Sequence, residues 1–292
     1  MSLSIEKNTI KLLRFPFSLL LMPVFILALS QADISLFSNA IVSFLIIHLL
    51  VYPASNGYNS YIDKDDSPVG GLEKPPQPTK QLFWITLIMD FAAVLISAIL
   101  INALFSSCIL LYILASRAYS SPTTRLKKYP IIGFLTVFIF QGAFTYLMCT
   151  VGITGALFNF TEAGIYILAA SSFQIAGAYP LTQIYQHEQD LKDGVKTLSY
   201  QLGYIGTFIF SIAMFIICNI FYYLYFSSIH QLNSFMLIQL FFIPIIIYFS
   251  YWFYKVINNK SQANFRNTMR MNYISAISMN SCFILLLILN KL

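Results

Sequence analysis

The sequence predicts an all-α polytopic membrane protein, with about nine transmembrane helices in one bundle and a cytoplasmic N-terminus. Three observations predict it. Hydrophobic residues are 58% of the 292 and charged residues only 10%, against about 25% charged in soluble domains, which excludes a soluble enzyme. Apolar runs able to cross a hydrocarbon core of about 30 Å recur along the whole length. The basic residues also collect in alternate loops, as expected of cytoplasmic segments.

The first span is expected over 15–33. Lys7, Lys11 and Arg14 precede it, as in a signal peptide, but it is long and lacks a clear small-residue cleavage site, so it reads as a retained helix. The second, 36–57, runs into the polar stretch NGYNSYIDKDDSPVGGLEKPPQP. The third, 81–101, carries Asp90 roughly 15 Å from its start at about 1.5 Å per residue. A bare carboxylate is expensive there, so Asp90 either faces a substrate or is held neutral by an amide partner. The fourth, 103–117, is the shortest. The others are expected over 130–150, 162–184, 203–226, 235–257 and 271–289, forming one integral membrane domain over 1–292. Period-two alternation is not sustained, which argues against an outer-membrane barrel.

With the N-terminus inside, every Lys and Arg except Lys291 falls in an inside segment. The net charge of +6 is then a topology signal and a match to anionic membrane lipids, and no nucleic-acid partner is expected. Cys108, Cys149, Cys218 and Cys282 lie in or beside apolar runs without a CxxC pair and read as small buried side chains.

Positive-inside bias does not explain acid. Asp63, Asp65, Asp66 and Glu73 share the first inside loop, and Glu188, Asp190 and Asp193 share another. If the second helix continues past its span, Asn56, Asn59 or Ser60, Asp63, and Asp66 or Ser67 line one face at steps of three and four. Gln186, Asp190 and Asp193 stack similarly beyond the sixth helix, where Gly194 closes the run. Hard oxygen ligands at this spacing suit Mg²⁺, which binds through one or two carboxylates plus phosphate oxygens and keeps several waters. Solvated turns rich in Asp, Asn, Pro and Gly are the plainer reading. The pairing of two acidic loops, their position against long apolar helices and their basic flanks favour a metal and diphosphate site.

At these residues the sequence resembles the UbiA superfamily of intramembrane prenyltransferases. NGYNSYIDKDD stands where that family has NDxxDxxxD, and QHEQDLKDGVKTLSYQLG matches DxEGDxxxGxxTLxxxLG at Glu188, Asp190, Gly194, Thr197 and Gly203. The departures are Gly57 or Ser60 at the first motif's first Asp, an open choice between Asp65 and Asp66, and Gln186 at the second motif's first Asp. Gln186 still offers a neutral carbonyl.

The resemblance implies Mg²⁺ held by Asn56, Asn59, Asp63, Asp66, Gln186, Asp190 and Asp193, with Asp63 and Asp190 indispensable. It also implies diphosphate contacts from Arg125, Lys127 and Lys128 in YSSPTTRLKKYP, although ordinary positive-inside residues are an equal reading of these. The implied reaction transfers an isoprenyl group from an isoprenyl diphosphate to an aromatic or other lipophilic acceptor, as in quinone or related lipid biosynthesis. The expected setting is a bacterial cytoplasmic membrane with the motif loops on its cytoplasmic side. Tyr58, Tyr61 and Tyr185 lie nearest the motifs, as interfacial anchors or as faces for a carbocation. A membrane terpene cyclase or diphosphate-cleaving relative shares the same metal head. A transporter or ion-binding protein is the alternative of another class, but it should carry its polar ligands near the midplane.

Overall fold

The computed structural model describes residues 5–33 and 37–291; the expected start of the second span at residue 36 lies outside them. The first expected span is two helices, α1 (Lys7–Ser18) and α2 (Met22–Gln31), bent by 40°. Arg14 takes a left-handed conformation inside α1, with φ 51°, and Pro16 and Pro23 withhold amide donors near the break. Then follow α3 (Phe37–Asp63), α4 (Lys80–Leu100), α5 (Ala103–Ser120), α6 (Pro130–Thr154), α7 (Glu162–Gln183), α8 (His187–Lys192), α9 (Leu198–Ser228), α10 (Leu232–Asn258) and α11 (Phe265–Lys291). Among the described residues no strand forms; Val69 and Leu72 make one isolated bridge.

Seven of the described helices are long and apolar enough to cross a membrane, and the bent pair α1 and α2 makes an eighth. The expected count of nine is therefore approximate. α7 is 22 residues long but is not among the apolar spans. Its Ser171, Ser172, Gln174 and Gln183 can be polar because the helix packs against α6 and α9 and buries its serines and Gln183. A helix enclosed by protein need not be as apolar as one facing lipid. α4 and α10 show the contrast, with Trp84, Phe91, Leu240 and Ile247 exposed on them.

Two π turns interrupt the long helices, at Ile46–Val51 in α3 and at Phe138–Ala143 in α6. The first lies just before Pro53, whose ring nitrogen cannot donate to the Leu49 carbonyl. The second includes Gly142 at φ −95° and ψ −105°, and Ser172 of α7 supplies the bonds that the turn disrupts. Its Oγ donates to the Phe138 carbonyl and accepts from the Ala143 amide, each at 2.9 Å. A Cβ on Gly142 would overlap the Ser172 backbone. Gly142→Val is accordingly expected to destabilise the detergent-solubilised protein by about 1–3 kcal/mol, the usual cost of overpacking. Thermal unfolding beside Gly206→Val checks this, since a Cβ at Gly206 meets only Leu202 of its own helix.

Candidate functional site

Both acidic loops converge on a cavity of about 220 Å³. α3 delivers Asn56, Asn59 and Asp63 to it in helical steps and then stops, because Lys64 turns left-handed with φ 53°. That stop changes the expected continuation of the face: Asp65 lines the cavity, whereas Asp66 is exposed and accepts from Gln77 at 2.5 Å. The loop then makes a tight turn at Gly70 and Gly71, closed by two bonds of 2.9 Å between Val69 and Leu72. Gly71 sits at φ 87°, and Phe17 packs so closely that a Cβ on Gly70 would meet its ring at 2.7 Å.

From the other loop come Gln186 and Asp190. Gln186 donates through its amide nitrogen to the Pro68 carbonyl at 3.3 Å, which joins the two loops and leaves the amide oxygen able to face a cation. Asp193 and Lys128 are exposed and do not line the cavity. The Asp63 side chain is 8% exposed. Its Oδ2 accepts from Asn59 at 3.0 Å and from the Lys127 ammonium, and its Oδ1 lies 3.7 Å from the Arg125 guanidinium. Asn59 also donates to Ser120 of α5 at 3.0 Å, so one α3 amide orients the carboxylate one turn further along and ties it to the neighbouring helix.

Several lining residues escaped the sequence reading. Arg14 is 7% exposed and donates to the Gly70 and Asn56 carbonyls at 3.2 and 3.0 Å; nothing in the sequence separates it from the other basic residues before the first span. Deeper in the cavity, Tyr112, Tyr119, Phe140 and Tyr179 form an aromatic wall with Gln141, Gln183 and Asn272 among them. The Tyr119 and Tyr179 hydroxyls are hydrogen-bonded, and Gln183 donates to Tyr179 at 2.8 Å. Of the motif-adjacent tyrosines, Tyr185 lines the cavity, while Tyr58 lies under the Arg117 guanidinium at 3.9 Å and Tyr61 packs on Phe83. Asp90 is not in the lining. Its protein partner is not an amide but Arg117, whose Nε donates to it at 2.8 Å.

The donors are hard oxygens, and the buried Asp63 Oδ1 and Gln183 Oε1 have no hydrogen-bond partner among the described residues, so the set fits Mg²⁺. Among the described residues no three His, Cys, Asp or Glu side chains stand close enough to hold a metal by themselves. A cation here would complete its shell with waters and phosphate oxygens, as Mg²⁺ habitually does.

Burial lifts the Asp190 carboxyl to about 7; the Lys127 ammonium opposes this, and the charges of Asp65, Asp63 and Asp193 add to it. Burial likewise lifts Asp65 to about 6, reinforced by Asp63 and opposed by Lys127 and Arg14. Both lie above the ordinary value of 3.8. Between that value and the raised ones, the folded chain holds protons that the unfolded chain has released, so stability from these groups falls as pH rises through the window. In chelator, the melting temperature is expected to drop from about pH 4 to about pH 7, with a shallower drop for Asp190→Asn. A rise across that window would contradict this electrostatic account.

The described residues thus form an all-helical bundle with carboxylates, Lys127 and Arg14 at one end of an aromatic-lined cavity. The profile of the UbiA prenyltransferase family matches residues 20–274, and the chain belongs to that family. A UbiA homologue from Archaeoglobus fulgidus, solved with DMAPP and Mg²⁺ bound, is 18% identical over 96% of this chain and 99% of that one, with a TM-score of 0.69. An apo UbiA homologue from Aeropyrum pernix K1 is also 18% identical, over 94% and 98%, with a TM-score of 0.69. A digeranylgeranylglyceryl phosphate synthase is 16% identical over 98% and 99%, with a TM-score of 0.61. At such identities the likeness shows the fold. No curated protein sequence matches the chain.

Proposed function

We propose that this protein, acting as a single integral membrane domain, transfers an isoprenyl group from an isoprenyl diphosphate to a lipophilic or aromatic acceptor, with Mg²⁺ as cofactor. The observation that carries the reading is one cavity that joins Asp63, Asp65, Asp190, Lys127 and Arg14 at its head to an aromatic wall. The relative from Archaeoglobus fulgidus binds DMAPP and Mg²⁺, which supports the same substrate class here.

In this reading Asp63, Asp65 and Asp190, aided by the amide oxygens of Asn56, Asn59 and Gln186, hold the metal. When bound, Mg²⁺ supplies charge neutralisation for a departing diphosphate. Lys127 and Arg14 donate to phosphate oxygens, with Arg125 behind them. The allylic carbon–oxygen bond opens, its electron pair leaves with the diphosphate, and the acceptor supplies the pair for the new carbon bond and gives up a proton to the released diphosphate. Tyr112, Tyr119, Phe140 and Tyr179 exclude water and turn ring faces toward the developing cation. The motif loops lie on the cytoplasmic side, where soluble diphosphates and Mg²⁺ are supplied.

The test is incubation of the purified protein with a panel of isoprenyl diphosphates and aromatic or lipid acceptors, with Mg²⁺ or chelator, read by mass spectrometry. A prenylated acceptor formed only with Mg²⁺ is expected. Cyclised prenyl product without an acceptor would assign a cyclase instead.

A further inference from the structure

α8, which carries Asp190, has six residues and buries only one side chain, His187. That imidazole enters the start of α9, which is broken at Gly203 with φ 67° and ψ 178°, a conformation that essentially only glycine adopts. His187 stacks on Tyr204 with ring centroids 5.0 Å apart and planes at 6°, and meets Tyr200 edge-on at 5.7 Å. Its Nε2 lies 2.8 Å from Ser199 Oγ, which lies 3.1 Å from Thr207 Oγ1. Ser199 and Thr207 are fully buried and stand on opposite sides of the break.

One proton arrangement satisfies the His187–Ser199, Ser199–Thr207 and Thr207–Gly203 contacts, with the Ser199 carbonyl, 3.1 Å from Thr207 Oγ1, a second acceptor for the same Thr207 proton. Thr207 has a single hydroxyl proton and donates it to the Gly203 carbonyl at 2.7 Å, a group that the break strips of regular helix geometry. Ser199 must then donate to Thr207, and His187 must donate to Ser199 through Nε2. The chain of bonds thus runs from the motif helix, across the break, into the body of α9.

The geometry points to His187 as a positioning residue, which pins α8 to α9 and thereby fixes the Asp190 carboxylate opposite Asp63 and Asp65. A six-residue helix with one buried side chain has no other side-chain anchor in the protein core. The proposal rests on the metal reading of the cavity given above. It assigns His187 no contact with substrate, and His187 is absent from the cavity lining.

The experiment measures Mn²⁺ binding directly, by electron paramagnetic resonance titration of the full-length protein in detergent. It compares the unsubstituted chain with Asp190→Asn, His187→Phe and His187→Gln. His187→Phe keeps the ring stack and removes the hydrogen bond, and is expected to weaken Mn²⁺ about 10-fold, as loss of a ligand-orienting partner does. His187→Gln, whose amide nitrogen can take the place of Nε2, is expected to recover most of that affinity. In turnover assays the half-saturating Mg²⁺ concentration should move by the same factor while the rate at saturating Mg²⁺ is nearly kept. If His187→Phe does not fold, Ser199→Ala breaks the same chain one bond further on and carries the same expectation. Unchanged Mn²⁺ affinity in a folded variant with only a lower melting temperature overturns the proposal, as does equal weakening in the Phe and Gln variants. Equal Mn²⁺ binding by the unsubstituted chain and Asp190→Asn overturns the metal reading itself, and this proposal with it.

Discussion

Asp63→Asn is expected to lower turnover by about 100-fold or more, the usual scale when a charge that stabilises a transition state through a metal is removed. The substitution keeps the side-chain shape, and Asp63 is nearly buried, so the cavity should stay packed. What changes is the charge at the point where Asn59, Lys127 and Arg125 all converge. An amide also turns a donor toward those donors. Initial rates at saturating isoprenyl diphosphate and Mg²⁺, with circular dichroism to check the fold, measure the effect. Asp65→Asn should follow Asp63→Asn, whereas Asp66→Asn should retain most of the rate, because Asp66 is exposed and bonded to Gln77. Full activity in Asp63→Asn would remove this carboxylate from the reaction.

The largest stability effect is expected at a pair outside the cavity. Asp90 and Arg117 have side chains only 13% and 16% exposed, and Arg117 also covers the Tyr58 ring at 3.9 Å. Asp90→Leu leaves the guanidinium buried without its counter-charge and should cost about 3–5 kcal/mol, the scale for a broken buried pair. Replacing both, as Asp90→Leu with Arg117→Met, should cost much less, since neither charge then needs desolvation. Thermal unfolding of the two variants in detergent separates these outcomes. A double variant as unstable as the single one would show that packing, not charge, is the source. The pair also ties α4 and α5 to α3 one turn before Asp63. Ser116 bonds Ser55 at 2.6 Å and Ser120 accepts from Asn59 along the same seam.

Arg14 in the cavity and Arg117 outside it show why such contacts were illegible. In the sequence both look like ordinary inside residues, because positive-inside bias puts arginine at every cytoplasmic helix end whatever its contacts. Their partners stand far away along the chain: Arg14 with Gly70, and Arg117 with Asp90. The choice between Asp65 and Asp66 was illegible for a local reason. Helical periodicity favoured Asp66, but the helix ends at Asp63 and Lys64 takes a left-handed turn, so the next inward carboxylate is Asp65. Asp190 was easier, since Gly194 at φ 69° closes its short helix where the sequence pattern expects a stop.

The membrane spans themselves were read from sequence because a bilayer imposes one constraint on every lipid-facing helix: about 20 residues of apolar side chain. The all-helical class and most span boundaries follow from that, as does the placing of acid in two interhelical loops. α7 tests the limit, since its length is legible but its polarity is tolerated only within the enclosure of α6 and α9. Tertiary structure alone decided which side chains of α3, α5, α6, α7 and α11 share a cavity, that Asp90 meets Arg117, and that His187 reaches across Gly203. Hydropathy is a property of each segment averaged against lipid. Contacts between segments depend on helix rotation, on the breaks at Arg14, Gly142 and Gly203, and on hydrogen bonds between residues far apart in the chain, none of which leaves a periodic trace in the sequence.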